Sequence, residues 1–390
     1  MFVKFLSQKC LFCCLLLLSG CTHNSYTRPP LPTAERYSRN ECVQKCTNVQ
    51  QYRWQDFFNA PSLQQLIVLA LKNNRDLKAA LQRIEEARAL YGLPTADQLS
   101  TVNCASWETV FWCRLKSLEG AELESYLATI EAKRSTFICL IRQIANTYLI
   151  DAELSELVNA TLNTIKVRKE GARIMKLRFE VGAASKFEFL EAESFLQQAE
   201  AELATLQRKR EVNWNAMTLL VGTPVCSDNH LLSQIEPYFT KEIFPGVPAE
   251  LLCNRPDVRE AEHKLRAANE SMGPRRRCSS CLALPKAERD LAATDYERTI
   301  QVAFREVSDA LAELTWLTEQ TLIQKEMLIA QTELARLAWL DFRCSTLSFL
   351  EVLEAEQKKF SAEQAFIETL RSLLASKINL YTALGGGYCR

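Results

Sequence analysis

Two long stretches of this chain contain no proline, and this constrains the fold more than any other feature of the sequence. None of the 12 prolines lies in residues 119–222 or 286–384. Because a proline inside a helix removes a hydrogen bond and clashes with the preceding turn, each stretch can form unusually long helices. Apolar residues recur in both at steps of three and four, which indicates amphipathic helices. The expected fold is therefore mainly α-helical, built from long antiparallel helical hairpins.

The apolar pattern places four long helices and one shorter segment. The shorter segment, 56–88, is predicted to break near Asn73 and Asn74. The long helices are predicted at 115–169, 185–220, 287–340 and 347–384. A helix of about 55 residues is about 80 Å long, which exceeds what a globular core requires. Its apolar stripe, interrupted at Arg134, therefore predicts packing along a coiled-coil partner.

An internal repeat relates the two proline-free stretches. Residues 179–193 (FEVGAASKFEFLEAE) and 342–356 (FRCSTLSFLEVLEAE) share seven identities in fifteen positions, and the same offset aligns Gly222 with Gly385. Two helices rich in Leu, Ala and Glu can match in part through composition alone. The simpler interpretation is a duplicated unit of short helix, irregular segment, long helix, reversal and long helix.

This repeat divides the chain into segments. Upstream of the long helices, residues 76–88 and 257–269 share an apolar pattern at a different offset. The first helical repeat is predicted at 54–222, an inter-repeat linker at 223–250 and the second helical repeat at 251–390. Residues 21–53, with Pro29, Pro30 and Pro32 among polar residues, are predicted to form an extended lead segment on the surface.

The first 20 residues have the pattern of a lipoprotein signal peptide. Lys4 and Lys9 accompany an apolar run that ends at Leu18, and Leu18-Ser19-Gly20-Cys21 matches a lipobox. The run is shorter than the roughly 20 residues of a spanning helix. The mature chain is therefore predicted to start at Cys21 with a lipid on its thiol. An ordinary cleaved leader followed by a chance cysteine is the alternative.

Composition argues against several functional classes. Lys plus Arg equals Asp plus Glu at 47 each, so no long-range field would recruit nucleic acid. No Ser/His/Asp set, phosphate-binding glycine loop or carboxylate-rich metal cluster stands out, and the three histidines are scattered (His23, His230, His263). Neither an enzyme, nor a cofactor, nor a catalytic metal is expected.

The cysteines leave a choice between thiols, disulfides and zinc. Of 15 cysteines, three leave with the signal peptide and Cys21 is the lipid site, so an odd number of eleven remains. Two pairs have a spacing that suits a metal (Cys42 and Cys46, Cys278 and Cys281), but all three histidines lie apart from them in sequence. In an exported protein we expect local disulfides or free thiols ahead of zinc.

Several segments resemble the outer-membrane efflux lipoproteins of the TolC/OprM type. PGVPAELLCNRPDVREAE (245–262) is similar to their GLPSxLLxRRPDVxxAE signature, and LYTALGGGY (380–388) to their closing LYxALGGGW. Further matches are the lipobox, ALKNNRDLKAALQRIEEARA (70–89), SWE (106–108) and FEVGAASKFEFLEAE. The resemblance covers nearly the whole mature chain.

The resemblance implies an architecture, a location and partners. The family forms homotrimers whose hairpins build a hollow α-barrel across the periplasm, and β-strands complete a pore in the outer membrane. It implies a periplasmic adaptor (membrane-fusion) protein and an inner-membrane pump as partners. The expected function is the exit duct of a tripartite efflux or secretion system for small molecules. A non-conducting, lipid-anchored envelope scaffold that binds an adaptor is the alternative.

The chain departs from the family where each half should insert a β-hairpin. The gaps at 91–105 and 273–285 are too short for two membrane strands of about 9 to 11 residues and a turn. Pro274 is followed by three arginines, and Val110 and Cys113 replace the family's Asp and Gly after SWE. We therefore expect little or no transmembrane β-barrel from this chain.

Two motifs of the resemblance have structural explanations. Pro256 suits the first turn of a helix and Asp257 places a carboxylate at its positive end, so Arg255-Pro256-Asp257 is expected to start a helix. Gly385, Gly386 and Gly387 are expected to end the last helix, because three successive glycines cannot sustain one.

Four glutamates are candidates for a pore constriction. In the TolC type, acidic residues at positions matching Glu351 and Glu354 narrow the periplasmic entrance, and Glu188 and Glu191 are their repeat equivalents. A spacing of three puts each pair on one helical face, and threefold symmetry would form rings of carboxylates that raise one another's pKa. A solvated flank of a coiled coil is the alternative.

Overall fold

The computed structural model describes residues 28–30, 32, 53–91, 120–225, 230–239, 251–271, 283–344 and 348–386. In chain order its α-helices are α1 (Trp54–Phe57), α2 (Pro61–Asn73), α3 (Arg75–Leu90), α4 (Gly120–Glu180), α5 (Lys186–Val221), α6 (Leu232–Ile235), α7 (Leu251–Asn254), α8 (Pro256–Ser271), α9 (Ala283–Arg343) and α10 (Phe349–Ala383). A 3₁₀ turn, Glu236–Phe239, follows α6. The mainly α-helical fold is confirmed.

The long helices have somewhat different bounds from those predicted. α4 and α9 contain 61 residues each, so each is about 90 Å long. α4 continues beyond its predicted end at 169, through Gly171, and ends before Gly182, whose φ of 75° a right-handed helix does not accommodate. α9 begins at Ala283 and includes Pro285, which the first turn tolerates because its N–H would have no helical partner.

The short helices α2 and α3 are separated at Asn74, where the sequence predicts a break. Asn74 Oδ1 accepts a hydrogen bond from the backbone N–H of Leu77 at 2.9 Å and caps α3. Its Nδ2 donates to the carbonyl of Leu220 at 2.8 Å, near the end of α5. The break therefore fastens the short helices to the first hairpin.

The long helices form two antiparallel hairpins that pack side by side. α4 packs against α5 and α9 against α10, while α10 also lies along α4. α3 and α8 pack near the start of α4. The main core lies at this end of the hairpins, where Ile144, Leu149, Leu374 and Ile378 are almost fully buried. The opposite end holds the two reversals.

The same backbone junction occurs in both halves of the chain. Gly222 and Gly385 follow α5 and α10 with φ of 77° and 102°. A Cβ on Gly222 would lie 2.7 Å from the carbonyl oxygen of Asn73, and a Cβ on Gly385 would lie 2.7 Å from that of Asn254. Only glycine permits both this conformation and this approach. The geometry agrees with the repeat, and the domain bounds remain a prediction.

In the second half an arginine takes the place of the asparagine cap. α8 starts at Pro256, with Asp257 in its first turn. Arg255 is 7% exposed, and its Nη1 donates to the carbonyl of Ala383 at 3.0 Å. Its Nη2 lies 2.5 Å from Asp257 Oδ2, and its Nη1 lies 2.7 Å from Glu306 Oε2. Arg255 thus ties α8 to the end of α10 and to α9.

Several predictions concern residues outside the described ranges. These include the lipid site at Cys21, the paired cysteines at 42 and 46 and at 278 and 281, Gly387, and most of the two short gaps. α10 ends before Gly385, and Gly386 also has a positive φ of 49°.

Candidate functional site at the hairpin tips

Both hairpins reverse at one end of the body, and each returning helix starts with a capping box. Ahead of α5, Glu188 N donates to Ser185 Oγ at 3.2 Å, and Ser185 N donates to Glu188 Oε2 at 2.7 Å. Ahead of α10, Glu351 N donates to Ser348 Oγ at 3.4 Å, and Ser348 N donates to Glu351 Oε2 at 2.8 Å. The Ser-x-x-Glu spacing that signals this box is present in both segments of the sequence.

The glutamates predicted to narrow an entrance therefore differ in their local roles. Glu188 and Glu351 hold helix caps, and hydrogen bonds from Ser185 and Ser348 lower their respective pKa values. Within one chain this direction is opposite to the raised pKa expected for converging carboxylates. Glu191 is half-buried and Glu354 is exposed, one turn further along each helix. A role for any of them in a constriction remains a prediction.

A small hydrophobic cluster joins the two hairpins near their reversals. Its buried members are Met175, Ala192, Ala338, Phe349, Val352 and Leu353. A Cβ on Gly171 would lie 2.6 Å from the ring of Phe349, so α4 and α10 approach very closely here. Trp339 packs edge-on against Phe349 and donates from Nε1 to Glu356 Oε1 at 2.8 Å.

Arg168 lies between the hairpins, toward the main core from this cluster. Arg168 is 3% exposed. Nη1 donates to the backbone carbonyl of Phe195 on α5 at 2.6 Å, and Nη2 donates to the side-chain carbonyl of Gln357 on α10. The guanidinium also lies 5.5 Å from the ring centroid of Phe195 and 6.0 Å from that of Phe360. The sequence contains a signal for this residue, since Arg168 lies fourteen residues after Leu154 and seven before Met175, both apolar and buried in α4.

The first reversal exposes apolar side chains at the tip. Val181 is 77% exposed, Phe187 70% and Leu190 48%. Gly182 between them has open space around its Cα, because a Cβ there would meet nothing within 4 Å. Clustered apolar side chains of this kind commonly mark a contact surface for another molecule.

A second exposed apolar surface follows one face of α9. Trp316, Ile323, Met327, Leu334 and Leu337 are all exposed by more than 40% and recur at steps of seven, four, seven and three. This is the spacing of a coiled-coil seam. α10 covers a different face of α9, where Ala335 and Ala338 are buried. We call these five residues the α9 seam.

Polar networks at the other end of the body are structural. His263 Nδ1 lies 2.5 Å from Glu124 Oε2, and His230 lies against Tyr148, so the two described histidines belong to different packing sites. Among the residues that the structure describes, no group of three or more His, Cys, Asp or Glu could hold a metal. Cys139, Cys253 and Cys344 are thiols. No helix in the described ranges is long and apolar enough to cross a membrane.

Comparison with known proteins decides the family. Residues 94–223 and 275–386 match the sequence model of the family described as outer membrane efflux protein. This chain belongs to the outer membrane efflux protein family. One relative is the toluene efflux pump outer membrane protein TtgC of Pseudomonas putida, which is 28% identical over 453 residues, covering 95% of this chain and 94% of TtgC. OprJ of Pseudomonas aeruginosa is 28% identical over 452 residues, covering 96% and 94%.

Solved structures share the fold of this efflux protein. A membrane protein from Pseudomonas aeruginosa has a TM-score of 0.78 at 26% identity, covering 93% of this chain and 97% of its own. The open state of the MtrE channel of Neisseria gonorrhoeae has a TM-score of 0.78 at 24% identity, with the same coverage of 93% and 97%. The predicted TolC-like hairpin architecture is confirmed.

Family membership also decides the functional class. The family consists of outer membrane efflux proteins, and TtgC is named as the outer membrane protein of an efflux pump, so this efflux protein is a transport component of the outer membrane and not an enzyme. The predictions of an efflux duct and of the absence of catalysis are confirmed. Assembly, membrane attachment and partners of this particular chain are matters of proposal.

Proposed function

We propose that this protein is the lipid-anchored subunit of a homotrimeric duct that exports small apolar molecules through a tripartite pump. The α9 seam is the observation that carries the proposal. It presents five large apolar side chains at coiled-coil spacing, each exposed by more than 40% in the described part of the chain. An exposed seam of this length favours aggregation unless another helix packs on it.

A second copy of the chain fits the seam best. α5 exposes Val212 by 58% and Leu219 by 79%, and it packs on α4, whereas α9 packs on α10. Contact between the α9 seam of one subunit and the α5 surface of the next is heterologous, and such contacts close into rings when the rotation permits. A closed ring of three subunits places the long helices side by side around a central passage.

The lead segment supports attachment of the body to the membrane through Cys21. Arg28 lies seven residues after Cys21 and forms a double contact with Glu262 on α8, through Nε at 3.1 Å and Nη2 at 2.6 Å. Seven extended residues span at most about 25 Å. A lipid on Cys21 would therefore hold the α8 end close to the membrane, so the hairpin tips would lie far from it, in the periplasm.

The exposed tip supports contact with a periplasmic adaptor. Val181, Phe187 and Leu190 lie at the end of a helical body about 90 Å long, at the opposite end from the contact of Arg28 with Glu262. The adaptor and an inner-membrane pump complete the proposed system. The relatives named for toluene and antibiotic efflux support small apolar compounds as the exported class.

A carboxylate ring at the entrance is part of the same proposal. Glu354 is exposed and makes no hydrogen bond or ion pair in the described part of the chain, whereas Glu351 is engaged by Ser348. We expect Glu354→Gln to weaken the cation preference of a conducting trimer. Glu351→Gln should instead destabilise the start of α10, because it weakens the capping box. If both variants lowered the stability of the protein equally, the two glutamates would not have these different roles.

The assembly test uses the full-length protein purified in detergent. Native mass measurement should give a trimer, and Ile323→Glu should shift it toward monomer because a carboxylate enters the seam. Thr332→Glu adds the same charge at an exposed position on another face of α9 and should leave the trimer intact. A stable monodisperse wild-type monomer would refute the duct.

Wild type should also restore efflux of an apolar dye in a strain that retains adaptor and pump but lacks its outer-membrane efflux protein.

A further inference from the structure

Arg168 is a buried charge without a counter-ion in contact. Among the described residues, no carboxylate lies within ion-pair distance of its guanidinium, which contacts two carbonyl oxygens and two aromatic rings. Buried charges in proteins are normally paired, because removing an ion from water is costly. Arg168 is therefore an exception that requires a physical explanation.

The surroundings offset only part of this desolvation. Burial lowers the pKa of Arg168, and the negative charge of Glu356 opposes the shift without reversing it. Glu356 is itself engaged by the indole N–H of Trp339. The folded site thus disfavours the charged guanidinium relative to water, even with its carbonyl and ring contacts.

The two carbonyl partners of Arg168 differ in how far they depend on it. Phe195 lies inside α5, so its backbone carbonyl also accepts a hydrogen bond from the N–H four residues later in the helix. Gln357 has a second contact, from its Nε2 to Ser361 Oγ at 3.4 Å. An apolar side chain at position 168 would leave the Phe195 carbonyl its helical donor and would remove the donor to Gln357 Oε1, whose half-buried side chain lies within reach of water. It would pack between the rings of Phe195 and Phe360.

We propose that Arg168 is a positioning residue that lowers the free energy required to separate the two hairpins near their tips. It connects α4 to α5 within the first hairpin and to α10 of the second, so separation of α4 from α10 admits water to the guanidinium. Water then solvates the guanidinium, which recovers the solvation free energy that burial removes in the packed state. The inference rests on the proposed function only in taking the tips as the entrance of the duct.

Hydrogen exchange of the full-length wild-type protein in detergent tests this directly. Arg168→Met removes the charge and keeps much of the volume, and it should slow exchange in α4 and α10 around positions 168 and 357 by about tenfold, within the range seen when buried charges are replaced by apolar side chains. Arg168→Lys keeps the charge with fewer donors and should accelerate the same exchange. Exchange in α3 and α8, at the other end, should not change.

The matched control is Arg173→Met, five residues further along α4. Arg173 is paired with Glu170 at 2.7 Å, and its side chain is 61% exposed, so its loss should leave exchange near position 168 unchanged. Faster exchange in Arg168→Met, or failure of this variant to fold, would overturn the proposal, because both would show that the charge stabilises the packed state. The exchange pattern is independent of transport, so loss of the duct model through a monomeric mass would leave this result interpretable.

Discussion

The junction around Arg255 offers a quantitative test, because the internal repeat supplies its own control. Arg255→Met removes a buried guanidinium that donates to the carbonyl of Ala383 and contacts Asp257 and Glu306. At the corresponding junction of the first half, Asn74→Ala removes an amide that caps α3 and donates to Leu220. Both changes sever a short helix from the end of a long one, but only the first breaks ion pairs.

The expected magnitudes differ by about a factor of two. Breaking a buried pair costs about 3 to 5 kcal/mol. The side chains of Asp257 and Glu306 are 32% and 34% exposed, so water partly replaces the guanidinium, and we expect about 3 kcal/mol for Arg255→Met. Loss of a neutral cap and one buried hydrogen bond should cost about 1.5 kcal/mol for Asn74→Ala.

Thermal unfolding of the two full-length variants in detergent, side by side, measures the difference. At roughly 2 °C per kcal/mol for a chain of this size, the melting temperature should fall by about 6 °C and about 3 °C. Arg255→Lys retains a charge but not the planar guanidinium, so its melting temperature should lie between those of wild type and Arg255→Met. An equal or larger loss for Asn74→Ala would refute the argument that the ion pairs strengthen the second junction.

Three further predictions address single positions. Gly222→Ala should cost about 2 kcal/mol or more in thermal unfolding, because a Cβ meets the Asn73 carbonyl, while Gly182→Ala, with similar φ but open space, should cost only about 1 kcal/mol. Ser185→Ala should cost about 1 kcal/mol by loss of the α5 cap, measured the same way. Burial raises the pKa of Glu363. The folded state therefore favours the protonated form of Glu363, so Glu363→Gln should raise the melting temperature at pH 7. This gain should disappear below the ordinary carboxyl pKa of about 4.3, where Glu363 is also neutral. An equal gain at pH 7 and below pH 4.3 would contradict this.

The sequence by itself determined the helices, their approximate ends and the family. Proline-free stretches with apolar steps of three and four are local properties, and so are the Ser-x-x-Glu boxes and the glycines that end α5 and α10. The break at Asn74 and the helix start at Pro256 follow from the same local chemistry. These features could be predicted because each depends on residues within a few positions of one another.

Only the tertiary structure decided which charged residues are buried and what they contact. Arg255 reaches Ala383 and Glu306 through the packing of α8 against α9 and α10, and Arg168 meets Gln357 only because the two hairpins lie side by side. The sequence shows a basic residue in an apolar stripe at Arg134 and at Arg168 alike. Arg134 has Glu131 one turn away at 2.5 Å, whereas Arg168 has no such neighbour in contact. The ion pair of Arg134 lies within one helix and can be read from the sequence. The burial and the contacts of Arg168 depend on helices distant in sequence, because they are set by packing and not by periodicity.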